Sequence, residues 1–333
     1  MIELERVSVA FGNALALREA SLSIAPGARL GIVGESGCGK SMLGLCLMGM
    51  VPDAAAVSGA IRLNGRDLAG ASEAVWRRHR ARDVAMIFQE PMAALNPLRT
   101  IGDTVMEPLR VHENLSRDAA RDRALALFEE VGIPDPVARL RQYPHEISGG
   151  QRQRVLIALA LACNPGVLVA DEPTTALDAN VALRIIELLV RLSETRNMAL
   201  VFISHDLAAV ARATQQVAVM YGGDIVERGP TAQVLSAPRH PYTIGLLGAR
   251  PGLANRKRGP DGRRQRLVTI PGTVPPLHDL PMGCRFSGRC TQELPHCATQ
   301  QPIPHRLGAG QEAACHLLDP AATVRPATMG VGE

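Results

Sequence analysis

Gly34-Glu35-Ser36-Gly37-Cys38-Gly39-Lys40-Ser41 decides the reading of this chain. It completes the pattern G-x-x-x-x-G-K-[ST], with an apolar strand pattern before it at Arg29–Val33 and a helical pattern after it from Lys40 to about Met50. The glycines let the backbone wrap so that successive N–H groups point at phosphate oxygens, and the helix N-terminus adds positive potential. Lys40 then neutralises the charge of the β- and γ-phosphates, and the Ser41 hydroxyl is a ligand for Mg2+. Basic residues are otherwise almost all arginine; the chain's only lysines are Lys40 and Lys257. The loop therefore implies ATP and Mg2+.

A triphosphate site needs a second metal contact, and Leu168-Val169-Ala170-Asp171-Glu172 supplies it. An apolar strand ends there in two adjacent carboxylates, at the end of a parallel strand where this architecture collects its ligands. Asp171 is expected to hold Mg2+, and Glu172, turned differently, to polarise the attacking water. Taken alone, such a pair also serves as a helix N-cap.

Working outward, strand patterns occupy Ile2–Val9, Ala20–Ile24, Ser58–Leu63 and Val84–Phe88. Between Glu90 and Arg141 the strand signals vanish, and helical periods at Ile101–Val111 and Asp118–Val131 read as an insert within an α/β domain. The alternation resumes with a helix from about Gly150 to Cys163, a wholly apolar strand at Val167–Ala170 and a helix at Ala179–Arg196. A strand at Ala199–Ile203, a helix from Asp206 and a strand at Gln216–Met220 close the run. Continuous apolar strands alternating with helices predict a parallel sheet covered on both faces. After about Ser236 the pattern weakens into a basic, glycine-containing linker, Arg250–Arg266, and a tail rich in proline and cysteine.

Composition narrows the setting. The 333 residues are 46% hydrophobic and 20% charged, with a net charge of +4, too small for this length to imply nucleic acid. Met1–Val9 reads as a strand rather than a secretory leader. No apolar run reaches the roughly 18 residues that span a bilayer, so any membrane link goes through a partner. With ATP chemistry elsewhere in the chain, a reducing compartment is expected for the seven cysteines.

Ile147-Ser148-Gly149-Gly150-Gln151, directly ahead of a helix, resembles the signature motif of ABC ATPases. A hydroxyl, two glycines and a helix N-terminus make a second anion-binding surface, or more plainly a good helix cap. The resemblance implies that Ser148, Gly149, Gly150 and Gln151 meet the γ-phosphate held by an opposite subunit in a head-to-tail dimer. It also implies an adenine contact at Phe11, a Mg2+ and water contact at Gln89, a dimer-crossing loop at Asp178 and a γ-phosphate contact at His205. Phe11 after a strand is as readily a core residue. The phosphate-loop positions Gly34, Ser36, Gly37, Cys38, Gly39, Lys40 and Ser41 complete the set. The similarity covers about Met1–Leu235. The implied fold is α/β: a P-loop ATPase with a RecA-like parallel core, an N-terminal antiparallel subdomain and a helical insert at about 90–150. A C-terminal extension then runs from 236 to 333.

Gln89-Glu90-Pro91-Met92-Ala93-Ala94-Leu95-Asn96-Pro97 and His240-Pro241-Tyr242-Thr243, followed by Leu246-Leu247, are similar to ATPases of oligopeptide and dipeptide importers, a group that includes nickel systems. This implies a second ATPase subunit, two integral-membrane permeases and an extracytoplasmic solute-binding protein. The chain would lie on the cytoplasmic face of the membrane, docking the permease through Glu90–Pro97. Cys284-x5-Cys290-x6-Cys297-x17-Cys315 fits neither zinc-ribbon nor ferredoxin spacing. Similar tails in this group hold a [4Fe-4S] cluster, which four thiolates suit; His296 and His316 keep a mixed Zn2+ site as the alternative. The competing class is a soluble ABC ATPase acting on nucleic acid or ribosomes, with a zinc-binding tail. Its basic runs, Arg77–Arg80 and Arg250–Arg266, lack the interleaved aromatics that stack on bases.

Overall fold

The computed structural model describes residues 1–89, 94–175, 177–249 and 270–319. Two sheets organise them. Strands β1 (Ile2–Phe11), β2 (Ala14–Ile24), β4 (Ala56–Leu63) and β5 (Arg66–Asp67) form an antiparallel sheet in the order β2-β1-β4-β5. The second sheet has the order β11 (Pro304–Arg306), β12 (Glu312–Ala314), β10 (Asp224–Pro230), β9 (Gln216–Tyr221), β3 (Arg29–Val33), β8 (Ala199–Ile203), β7 (Val167–Asp171) and β6 (Val84–Ile87). Its centre is parallel: β3 (Arg29–Val33) lies between β8 (Ala199–Ile203) and β9 (Gln216–Tyr221), and β7 (Val167–Asp171) lies between β8 and β6 (Val84–Ile87).

Every residue of β7 and β8 is buried, as expected of strands covered on both faces. Alternate side chains divide between two cores. Leu168, Ala170, Leu200 and Phe202 join one with the helical insert. Val167, Val169, Val201 and Ile203 join the other with the N-terminal sheet and helix α1 (Lys40–Met48). Trp76 of helix α2 (Glu73–His79) is buried in that second core.

Among the described residues the insert contains α3 (Ile101–His112), α4 (Arg117–Glu130) and the single turn α5 (Pro136–Arg139). Thr100 and Ser116 cap α3 and α4 by accepting from Asp103 N–H and Ala119 N–H. Helix α6 (Gly149–Ala160) returns the chain to the sheet, and α7 (Ala179–Thr195) and α8 (Leu207–Ala213) cover its face.

Three sequence expectations need correction. The second strand is not confined to Ala20–Ile24; it starts at Ala14 and makes a hairpin with β1, Phe11 opposite Ala14. The run of strands does not close at Met220. It continues through β10 (Asp224–Pro230), antiparallel to β9 across Gly222-Gly223. Among the described residues, regular elements also continue after Ser236: α9 (Thr231–Ser236) is followed by α10 (Pro241–Gly248), and β11 (Pro304–Arg306) and β12 (Glu312–Ala314) add to the sheet edge. The linker Arg250–Arg266, residues 90–93 of the expected docking segment, and the chain beyond 319 lie outside the described residues.

Candidate functional site

Strand order places the chemistry. The C-terminal ends of β3, β6, β7 and β8 all point to one edge of the sheet, where open α/β folds bind ligands. The loop after β3 carries Gly34–Lys40. Gly39 is the N-cap of α1 at φ 99°, a left-handed conformation that favours glycine. A Cβ there would lie 2.9 Å from the Ala16 carbonyl oxygen. The loop is packed from below by the β9–β10 turn, where Gly223 N–H donates to the Cys38 carbonyl at 2.9 Å. The Lys40 ammonium donates to the carbonyls of Gly34 and Glu35 at 2.9 and 3.0 Å. Burial holds the Cys38 thiol above its usual pKa, against the pull of Lys40, so Cys38 packs as a small apolar group.

Asp171 is buried, and burial pushes its carboxyl above the usual carboxylate range although Ser41 hydrogen-bonds to it. Its Oδ1 is buried with no hydrogen-bond partner among the described residues. A buried, orphaned carboxylate oxygen beside a serine hydroxyl fits a hard divalent cation, which takes oxygen ligands and reverses the desolvation cost. Ser41 and Asp171 therefore fit Mg2+.

Glu172 sits in the left-handed region at φ 48°, a conformation that costs a non-glycine residue and recurs at functional sites. Its backbone N–H donates to the Ile203 carbonyl, which locks the turn to β8. The carboxylate meets His205 Nδ1 at 2.8 Å, accepts from His205 N–H at 3.0 Å and from the Thr175 hydroxyl at 2.9 Å. Glu172 is thus fixed in orientation by three groups, two of them from the end of β8.

One cleft collects Phe11, Ser36, Gly37, Gly39, Lys40, Ser41, Gln89, Glu172 and His205. Phe11 is half-buried against the N-terminal core and also faces this cleft. Ala16, Met42 and Leu277 line it as well, and sequence reasoning missed them. No local signal marks Leu277, which lies in the C-terminal extension and reaches the cleft only through tertiary folding.

The signature residues are elsewhere. Ser148 caps α6 in a capping box: its hydroxyl accepts from Gln151 N–H at 3.3 Å, and Gln151 Oε1 accepts from Ser148 N–H at 3.0 Å. Ser148 and Gly149 are exposed. A Cβ on Gly150 would lie 2.8 Å from Val181 of α7, whose first turn is capped by Asp178. The signature and Asp178 therefore form one exposed surface, and neither lines the cleft of its own chain.

Cys284, Cys290, Cys297 and Cys315 are unpaired and line a common cavity of about 20 Å3 with His240. Burial pushes the Cys284 thiol up to about 12 and raises those of Cys290 and Cys315. Among the described residues, no three His, Cys, Asp or Glu side chains lie close enough to hold a single metal ion. His296 and His316 stack edge to face on each other, with ring centroids 4.6 Å apart. Among the described residues no helix is long and apolar enough to cross a membrane.

A phosphate loop on a parallel sheet, a carboxylate pair at the next strand end and a capped signature helix define an ABC-type ATPase. Residues 17–175 match the ABC transporter family, and residues 226–297 match the oligopeptide/dipeptide transporter C-terminal region. The dipeptide transport ATP-binding protein DppD of Escherichia coli is 44% identical over 321 residues, 95% of this chain and 96% of that one. DppD of Haemophilus influenzae is 41% identical over 321 residues, 95% of each chain. A solved structure described as a dimeric post-hydrolysis state of the ATP-binding cassette MJ0796, bound to ADP and Pi, superposes with a TM-score of 0.62 at 28% identity, covering 69% of this chain and 99% of that one. The chain belongs to the ATP-binding subunits of ABC transporters, in the oligopeptide/dipeptide branch. Nothing in these relatives supports the nucleic-acid reading.

Proposed function

We infer that this chain hydrolyses ATP to power import of dipeptides or oligopeptides through a membrane permease. The observation that carries this reading is the near full-length similarity to dipeptide-transport ATPases, which extends through the C-terminal region at 226–297. A related solute such as nickel belongs to the same branch of transporters. The chain divides at about residue 235 into the nucleotide-binding domain and the extension. It works with a second ATPase subunit, two permeases and a solute-binding protein, and sits peripherally at the cytoplasmic face.

Residue roles follow from the cleft. Phe11 packs on the base, and the loop from Gly34 to Gly39 wraps the phosphates. Lys40 releases the carbonyls of Gly34 and Glu35 to bind β- and γ-phosphate oxygens. Ser41, Asp171 and Gln89 hold Mg2+, which supplies charge neutralisation when bound. Glu172, fixed by His205 and Thr175, orients water and takes its proton as the water oxygen bonds to the γ-phosphorus and the bond to ADP breaks. Ser148, Gly149, Gly150 and Gln151, with Asp178 beside them, close the site of the facing subunit. Reconstituted with its permeases and second ATPase, the complex should hydrolyse ATP faster when peptide-loaded binding protein is added. Stimulation by DNA or ribosomes, with no response to peptide, would overturn the transport reading.

The four cysteines are read as ligands of a [4Fe-4S] cluster. Two features support the fit. Four thiols line one cavity, and four thiolates are the ligand set that such a cluster takes. His240 accepts Tyr242 N–H at Nδ1, 3.0 Å, so its ring proton sits on Nε2. That buried Nε2 has no partner among the described residues, and burial lowers the ring's pKa to about 4. A neutral N–H donor is thereby left at a cavity that thiolates or sulfide would make negative. Anaerobically purified protein should be brown, with about four irons per chain, and Cys290→Ser should reduce that iron. Colourless protein loaded with zinc would end the cluster reading.

A further inference from the structure

The motif His240-Pro241-Tyr242 and the segment around Cys290 have one further feature in common: both reach Glu35, the first variable residue of the phosphate loop. The Tyr242 hydroxyl accepts from Glu35 N–H at 2.8 Å. Arg289 Nη1 donates to the Glu35 carboxylate at 2.7 Å, and Nη2 approaches its other oxygen at 3.3 Å. Backbone and side chain of one loop residue are thus held by two different parts of the C-terminal extension.

The anchors are themselves rigid. Arg289 is buried and also donates to the Tyr221 hydroxyl and to the carbonyls of Pro271 and Gly272. Tyr242 is fully buried, edge to face with Tyr221 of β9 at 4.8 Å and with Phe286 at 5.4 Å between ring centroids. Phe286 in turn contacts Tyr221 at 5.1 Å. Such aromatic contacts fix orientation as well as burying area. Glu35 is only half-buried, and its carbonyl is one of the two that Lys40 binds. A shift of Glu35 therefore moves the Lys40 ammonium and the first N–H of the loop together. Preorganisation of this kind lowers the ordering cost of binding a polyanion.

We propose that Tyr242 and Arg289 are positioning residues for the phosphate loop, so that the extension is part of the nucleotide site rather than an appendage. Leu277, which enters the cleft from the same extension, is continuous with this role. The inference rests on the phosphate-site reading above, and the test separates the two.

Full-length protein is titrated with Mg·ATP by calorimetry, and turnover is measured at saturating ATP. Arg289→Ala should weaken Mg·ATP binding roughly tenfold and Tyr242→Phe about threefold, the usual effect of losing a charge-assisted and a neutral hydrogen bond. Turnover at saturation should fall less than about twofold, since neither residue touches the reacting atoms. Arg289→Lys should recover part of the loss. In a double-mutant cycle, Arg289→Ala with Glu35→Gln should be no weaker than Arg289→Ala alone. Thermal melts identify any variant that fails to fold, in which case Tyr242→Phe, which removes a single oxygen, decides. Unchanged affinity in folded Arg289→Ala and Tyr242→Phe, while Lys40→Ala loses nucleotide, overturns the proposal alone. Retained binding in Lys40→Ala overturns the phosphate-site reading beneath it.

Discussion

Glu172→Gln is expected to cut ATP turnover by roughly 10²-fold or more while leaving Mg·ATP binding within about twofold. The amide keeps the size and one acceptor oxygen of the carboxylate but cannot take a proton from water. The surrounding geometry should survive, because the Glu172 backbone N–H is tied to the Ile203 carbonyl independently of its side chain. His205 N–H can still donate to the amide oxygen, and the Thr175 hydroxyl, which now meets the amide nitrogen, can turn to accept from it. A loss of binding equal to the loss of turnover would mean that Glu172 holds nucleotide or metal instead. The measurement is single-turnover hydrolysis beside a binding isotherm on the same preparation.

Lys40→Ala should act at the other end of the cycle, weakening Mg·ATP by roughly a hundredfold. The ammonium is buried and already held by the carbonyls of Gly34 and Glu35, so its desolvation is largely complete before phosphate arrives. Replacing carbonyl partners by phosphate oxygens then adds direct attraction between opposite charges to bonds that the ammonium already makes as an ionised donor. Arginine is no equal substitute, since a planar guanidinium fork does not reproduce a compact ammonium held by two backbone carbonyls. Fluorescent-nucleotide titration reads the effect directly, and near-native affinity in the alanine variant would be the failing outcome.

Much of this site was legible in the sequence because its parts are local. Strand Arg29–Val33 and strand Ala199–Ile203 were bounded by pattern alone, and the structure keeps both limits. Their apolar runs and the glycines that follow carry their own signal. Ser148 ahead of a helical pattern announces a cap, and the structure completes it as a capping box with Gln151. The extension was less readable for the opposite reason. Strand β12 has three residues and exists because Glu227 and Arg228, over eighty positions earlier, pair with it. Helix α10 has eight residues and contains Gly245 and Gly248, so its propensity is poor; Pro241 at its first position, the His240 cap and the burial of Tyr242 and Leu247 stabilise it. The reach of Tyr242, Arg289 and Leu277 into the nucleotide site is wholly tertiary, and no periodicity could have revealed it.

ATP is expected to join two cassettes, with the cleft of one chain closed by the Ser148–Gln151 surface of the other. Light scattering of the Glu172→Gln chain, alone or mixed with its companion cassette, measures this directly. Mg·ATP should double the mass, ADP should not, and a Ser148→Arg change should abolish the shift while that chain still binds nucleotide. Association that ignores ATP, or that survives Ser148→Arg undiminished, would contradict the account.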